Sequence, residues 1–308
     1  MAVHLAQRVK GIVYGRYAVL SQVWNHPLNR GSRLKALRDY FLWNAVRYSM
    51  DARHVLKLPG GLEIILGKKE NYGSAVYTHG LSDHGELLFL AHLLRPGDLF
   101  ADIGANVGMY SVWVAGTTGA NAISIEPVPP TFKALKQNIR LNDLAHLIEA
   151  HQVAAGAEAG VVRMTSDVGG LDHIVEGKSA GNTVDVPVTR IDDLLKGRGL
   201  YAMKIDVEGY ELPALQDAVQ TLQNPDVKAV VIELQDWTLR KFGTSERECR
   251  EYLLGLGFQP HSYDPFTRKL TKIAGGVAKG LNEIFVRPDS KLEERLASAK
   301  AVPVQAWK

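Results

Sequence analysis

The stretch Leu99-Phe100-Ala101-Asp102-Ile103-Gly104-Ala105-Asn106-Val107-Gly108 decides how this chain reads. Leu99 to Ile103 is an apolar run that meets one acid, and Met109 to Ala115 holds neither Gly nor Pro, so strand, tight loop and helix follow in order. Gly104 permits a backbone conformation closed to other residues, and Gly108 lets a ligand or a strand come close to the start of the helix. This is the pattern of a nucleotide-binding turn. A dinucleotide fingerprint would carry a further glycine where the pyrophosphate approaches, and Asn106 stands there instead. Asp102 sharpens the choice of ligand. A carboxylate at the strand end repels phosphate and attracts a cation, by about 4 kcal/mol at about 4 Å and an effective dielectric of about 20. S-adenosylmethionine, with an ammonium, a sulfonium and no phosphate, suits that field.

Working outward, Ala122 to Ile125 reads as a second buried strand that ends at Glu126-Pro127. Glu126 falls at an offset where an acid accepts hydrogen bonds from ribose hydroxyls in alternating strand-helix folds. Pro129 or Pro130 opens the next helix, near whose end Asn138 and Asn142 read as caps. A third strand, within Tyr201-Ala-Met-Lys-Ile-Asp-Val-Glu-Gly-Tyr-Glu211, again ends in carboxylates and a glycine. If it flanks the reversal of strand order beside Leu99–Ile103, Asp206 faces the group being modified. Asp206 is the candidate general base, with Glu208 beside it; alternatively Asp206 ligates a divalent ion with help from Glu208 or Glu233, although no His or Cys cluster adds to a metal reading. The polar, Gly-rich stretch 166–182 is the candidate lid, and His173 within it a candidate second base. Glu86, near the start of a helix spanning Leu81 to Arg95, is either a favourable acid in a first helical turn or a cofactor contact.

The flanks differ in charge. Of 308 residues, 46% are hydrophobic and 22% charged, and the formal charge is +3. Residues 1–50 hold eight Lys or Arg and only Asp39 as an acid, so the basic character is local. They read as a basic helical extension, with a weak membrane-surface or polyanion contact as the alternative. Nucleic acid is not expected, because no groove of interleaved basic and aromatic residues appears. Residues 51–80 read as a β-hairpin region, 81–289 as the main domain, ending in an antiparallel hairpin of Phe258–Tyr263 with Asn282–Arg287, and 290–308 as a charged helix and tail. Cys249 is the only cysteine, placed in a surface-like helix. With neither a leader nor an apolar run of spanning length, the expected compartment is a reducing cytoplasm.

As a set, Asp102-Ile-Gly-Ala-Asn-Val-Gly108, Ile125-Glu-Pro127 with Asn138 and Leu141-Asn142, Thr189-Arg-Ile-Asp-Asp-Leu194 and Lys204-Ile-Asp-Val-Glu-Gly-Tyr-Glu211 resemble the FkbM-type S-adenosylmethionine-dependent methyltransferases. The resemblance covers roughly residues 80 to 290, in the family's order, and leaves residues 1–50 outside. It implies a class I methyltransferase fold of the α/β class, a Rossmann-like, seven-stranded, mostly parallel sheet with helices on both faces. It also implies methyl transfer to a hydroxyl oxygen, on a sugar, a glycan or a secondary metabolite. On this chain Asp102, Gly104, Ala105, Asn106 and Gly108 would surround the methionine part of the cofactor. Glu126 and Pro127 would hold the ribose side, and Glu86 sits where family members often carry an acid. An NAD-type oxidoreductase, or a cofactor-binding protein without activity, stays open as the alternative.

Overall fold

The computed structural model describes residues 19–49, 52–67, 72–156, 159–166, 172–175, 181–273, 282–302 and 304. The candidate lid therefore lies in large part outside the described residues. Contacts divide the chain into two units, 1–82 with 303–308 and 83–302.

In the first unit, the helix Arg33–Ser49 turns Ala36, Asp39 and Trp43 inward. Strands β1 (His54–Lys57) and β2 (Glu63–Leu66) form an antiparallel hairpin across Pro59-Gly60-Gly61, with Gly60 at φ 85 where the chain reverses. The helix Tyr72–His79 follows, and the Trp43 ring stacks on Tyr77 with centroids 5.4 Å apart. The sequence pattern had no helix there, since its eight residues alternate small, aromatic and β-branched types.

The second unit is an open α/β sheet. Its parallel strands are β3 (Leu99–Ile103), β4 (Asn121–Ile125), β5 (Ile148–His151), β9 (Leu200–Ile205) and β10 (Ala229–Glu233). In β3, β4, β9 and β10 nearly every residue is buried, as a parallel sheet covered on both faces requires. The helices His84–Leu93 and Met109–Thr118 pack together over one face with Phe89 and Trp113, both fully buried, and on the other Leu212, Leu215, Leu222 and Leu253 join Ala101, Ile103, Ile123 and Ile205 in a buried cluster. Three antiparallel strands, β11 (Gln259–Asp264), β12 (Lys269–Lys272) and β13 (Asn282–Val286), complete the order β12-β11-β13-β10-β9-β3-β4-β5. The sheet has eight strands where seven were expected. The additional one, β12, is a Lys-Leu-Thr-Lys edge strand with no apolar run to betray it, and edge lysines of this kind keep a sheet from pairing with another chain.

A separate three-stranded sheet holds β6 (Ala154–Ala155), β8 (Thr183–Thr189) and β7 (Gly160–Thr165), in that order. The helix Ser290–Ala297 buries Leu292 and Leu296, and its Arg295 pairs with Asp98 at 2.6 Å.

Strand order reverses between β3 and β9. From that seam β4 and β5 run one way and β10 the other, and in open α/β sheets the carboxyl ends at such a reversal are where ligands bind. Both acid-bearing strands of the sequence reading end there, with Asp102 opposite Lys204 and Ile103 opposite Ile205 in register.

Candidate active site

Gly104 is the hinge of the seam. Its φ is 80, and a Cβ placed on it would sit 1.8 Å from the backbone oxygen of Asp206. The Asp206 amide in turn donates to the Ile103 carbonyl at 3.0 Å. Glycine is needed here for the close approach of the two strand ends, which no other residue allows. Gly108, at φ 93, faces Leu135 of the helix Pro129–Leu141, where a Cβ would lie 2.7 Å from Cδ1. The room made by Gly108 is thus for helix packing.

The loop between them uses its own amides. Gly104 and Ala105 donate to the Ile125 carbonyl at 2.9 and 2.8 Å, and Gly108 to the Ala105 carbonyl at 2.8 Å. Asn106, held at φ 51, donates its N–H to Glu126 Oε2 at 3.0 Å, while its side-chain Oδ1 accepts from Val107 at 2.7 Å. Ser111, in the first turn of the helix, donates to Asp102 Oδ2 from both its N–H and its hydroxyl. Every N–H from Gly104 to Gly108 therefore donates within the protein, and a diphosphate finds no amide cradle. Asn138, expected as a cap, instead donates from Nδ2 to the Val107 carbonyl at 2.8 Å and fixes the loop from behind. Asn142 does occupy the cap position of that helix.

Asp102, expected to surround the methionine part of the cofactor, is buried. Only 1% of it is accessible, and its Oδ1 is buried without a hydrogen-bond partner. Burial pushes its carboxyl above the usual range, with Lys204 and Ser111 working against that shift. Glu126 is also buried, each oxygen accepting one amide, from Asn106 and, at 2.9 Å, from Val128. Burial raises its pKa to about 8. The nearby Asp172 pushes the same way, which brings the segment before His173 close to the Glu126 end. His173 itself is tied by its backbone to Thr165, across N–H to Oγ1 at 3.0 Å and carbonyl to N–H at 3.0 Å. Ala105 is buried and Pro127 half-buried beside it.

Lys204, to which the sequence pattern assigns no role, lies at the centre of the cluster. Its ammonium lies 2.7 Å from Asp206 Oδ2 and 4.6 Å from the centre of the Tyr110 ring. Burial works against its charge, but Asp206 and Asp102 outweigh burial and hold its pKa above the ordinary lysine value. The Tyr110 hydroxyl donates to Asp83 Oδ2 at 3.1 Å, so Asp83 joins the cluster from just ahead of the helix His84–Leu93. Burial raises the pKa of Asp83, and that of Glu86 to about 7, where the Asp83 charge adds to the effect. Asp83 and Tyr110 escaped the sequence reading because their meeting is tertiary; the first-turn position of Glu86 was the only hint.

Beyond Asp206 the chain turns through Glu208, at φ 53, and Gly209, whose Cβ would strike the Thr238 carbonyl at 2.6 Å. A non-glycine residue held in this region stores strain of the kind found at functional sites. Glu211 shapes the turn, its Oε1 accepting from Val207 and Gly209 at 3.1 and 3.0 Å. One oxygen from each of Asp206, Glu208 and Glu233 falls within 4.8 Å of the others. Burial raises Glu208 to about 8, with Asp206 adding to it, and Glu233 to about 9, where a hydrogen bond with Asp206 contributes. Glu233 accordingly holds its proton at neutral pH, hydrogen-bonded to Asp206. The expected pairing of Asp206 with Glu208 is thus joined by Glu233.

Two expectations fall away from the site. Cys249 is fully buried rather than surface-like, on the inward stripe of the helix Glu246–Gly255, and burial pushes its thiol up to about 12. The Thr189–Leu194 motif is structural. Its Asp192 accepts from the Gln220 and Thr221 amides at 2.9 and 2.8 Å, and its Ile191 amide donates to Asp217 at 2.6 Å.

Among the described residues, no helix is long and apolar enough to cross a membrane. The family model described as methyltransferase FkbM domain matches residues 102–260. The 31-O-demethyl-FK506 methyltransferase FkbM of Streptomyces tacrolimicus is 28% identical, over 60% of this chain and 83% of that one. Solved structures align loosely. A precorrin-6y C5,15-methyltransferase from Geobacter metallireducens does so at 11% identity and TM-score 0.38, over 66% of this chain and 86% of that one. An rRNA methylase from Streptococcus thermophilus does so at 10% and 0.39, over 66% and 92%. Superpositions this loose carry no argument. The family match, which takes in both strand ends at the seam and spans more than half of the chain, does: this chain belongs to the FkbM methyltransferase domain family.

Proposed function

We propose that this chain is an S-adenosylmethionine-dependent O-methyltransferase acting on a hydroxyl of a sugar, a glycan or a secondary metabolite. The observation that carries the cofactor is the seam itself: acids crowd a loop whose amides are already committed, so the site suits a cation and refuses a phosphate. The unpartnered Asp102 Oδ1 and the raised carboxyls of Glu86 and Glu126 are what a cationic ligand would relieve. Asn106, Glu126 and Pro127 would hold the nucleoside side and Glu86 the amino-acid side, with Asp102 supplying field. The bound cofactor supplies an electrophilic methyl group. For oxygen as acceptor, the FkbM relative is named for a 31-O-demethyl substrate.

The chain's own contribution is a proton acceptor and a place to hold the hydroxyl. Lys204 holds Asp206 in place at 2.7 Å, and Asp206 takes the proton as the hydroxyl oxygen attacks. A second reading rests on the three oxygens within 4.8 Å: Asp206, Glu208 and Glu233 would hold a divalent cation, which would lower the pKa of the hydroxyl. Chelation and desalting separate the two. Transfer that survives both leaves Asp206 as base alone, whereas loss restored by Mg2+ or Mn2+ assigns the trio to the ion.

Titration with S-adenosylmethionine and with NADH tests the cofactor, and its pH dependence tests the electrostatics. Glu86 and Glu126, raised to about 7 and about 8, hold protons in the free protein that the unfolded chain has lost, so on their account stability falls as pH rises through those values. A cationic ligand favours their ionised forms. Binding is expected to release protons and to tighten with rising pH between about 6 and about 8, by up to about tenfold per pH unit for each proton released. Calorimetry in buffers of different ionisation enthalpy reads this directly; a flat affinity with no proton release, or a preference for NADH, overturns the cofactor assignment.

A further inference from the structure

The helix Arg33–Ser49 is apolar on two sides. One side buries Ala36 and Trp43 within its own unit. The other carries Leu34 at 76% exposure, Phe41 at 59% and Leu42 at 47%, with Val46 alongside, and positions 34, 38, 41, 42 and 45 share one helical face. Trp24, itself part-exposed, extends this surface, with the Arg33 guanidinium 5.5 Å from its ring centre. A helix that buries one apolar side and leaves a second exposed is expected to have a partner on the exposed side.

Charge selects the cover. Residues 1–50 carry eight basic side chains and Asp39 as their only acid. Asp39 is buried and holds Lys35 at 2.8 Å and Arg38 at 2.7 Å, so within residues 1–50 no acid is exposed to repel an anion. A second copy docked here about a two-fold axis would bring together two segments that each carry eight basic side chains against one buried acid. An anionic bilayer meets both halves of the pattern. Leu34, Phe41 and Leu42 can enter the boundary between headgroups and acyl chains, while the basic side chains stay at the level of the lipid phosphates.

We infer that the exposed face of Arg33–Ser49 docks this chain on an anionic lipid surface. Co-sedimentation of the full chain with phosphatidylcholine vesicles, with and without phosphatidylserine, tests it. Binding is expected to require phosphatidylserine, to weaken as salt is raised, and to fall about tenfold in Phe41→Asp, the loss of one inserted aromatic side chain. Arg33→Glu, which removes no apolar group, is expected to weaken binding to the anionic vesicles in the same direction. Unchanged S-adenosylmethionine affinity in both variants shows that the 83–302 unit is intact. The inference is overturned by vesicle binding that ignores phosphatidylserine, by no vesicle binding at all, by a Phe41→Asp variant that binds like the parent, or by a solution dimer that Phe41→Asp splits.

Discussion

Methyl transfer by the Asp206→Asn variant is expected to fall by about 10² to 10⁴, the range over which a positioned general base contributes. Asparagine keeps the size of the side chain and the backbone hydrogen bond to Ile103, but it takes no proton. It also leaves the buried Lys204 ammonium without the carboxylate 2.7 Å away, and removes the carboxyl hydrogen-bonded to Glu233. The cofactor loop is untouched by these losses, since Asn106, Glu126 and Asp102 make their hydrogen bonds among themselves and with Ser111 and Val128. Affinity for S-adenosylmethionine should therefore stay close to that of the parent. Transfer of a labelled methyl group into the acceptor, beside equilibrium binding of the cofactor, checks both. Lost cofactor binding with residual turnover unchanged would contradict the role given to Asp206. A parent chain that binds the cofactor and never transfers its methyl group would leave a binding protein.

Gly104→Ala is expected to destabilise the second unit by about 4 kcal/mol or more, a large part of the stability of an ordinary domain. Two independent causes add. The alanine would be held at φ 80, and its Cβ would press to 1.8 Å on the backbone oxygen of Asp206, which cannot rotate away as a side chain would. Relief requires β3 and β9 to part at their ends, which moves Asp206 and opens the loop. Gly85→Ala is the control. Nothing lies within 4 Å of its Cβ, and alanine in the helix His84–Leu93 is neutral or stabilising by about 0.5 to 1 kcal/mol. Denaturation midpoints of the two variants should move in opposite directions or differ by several kcal/mol; equal midpoints would refute the steric account.

The two effects differ in kind, although they meet at one atom group. The carbonyl of Asp206 is what makes Gly104 irreplaceable, and the carboxylate of Asp206 is the group proposed to take the proton. The strand end is fixed by packing so that its side chain can be fixed for function. Lys204 plays the matching part from beneath: its stem is buried in the sheet, and its ammonium joins Asp102 to Asp206 across the seam.

Much of this was legible in the residues. Buried parallel strands must be apolar along their whole length, so β3, β4, β9 and β10 announced themselves, and glycines at 104 and 108 marked the turn. Three carboxylates within six residues after β9 marked the second strand end. The edge strand β12 was invisible because a solvated Lys-Leu-Thr-Lys segment has the composition of a loop; only pairing with β11 makes it a strand. Whether an acid at a strand end faces solvent is equally absent from the sequence. Asp102 was read as a carboxylate facing the cofactor and is buried against Ser111, with the Lys204 ammonium acting on it.

By itself, then, the sequence determined which segments had to be buried, since an apolar run cannot remain in water, and from their order the α/β sheet and the family. What only the tertiary structure decided is which polar groups meet. Asp83 reaches Tyr110, Tyr110 reaches Lys204, and Glu233 reaches Asp206 because strand order places β10 beside β9 and β9 beside β3. Contacts of that kind depend on the position of whole elements, and no local pattern of residues encodes the distance between two side chains on different strands.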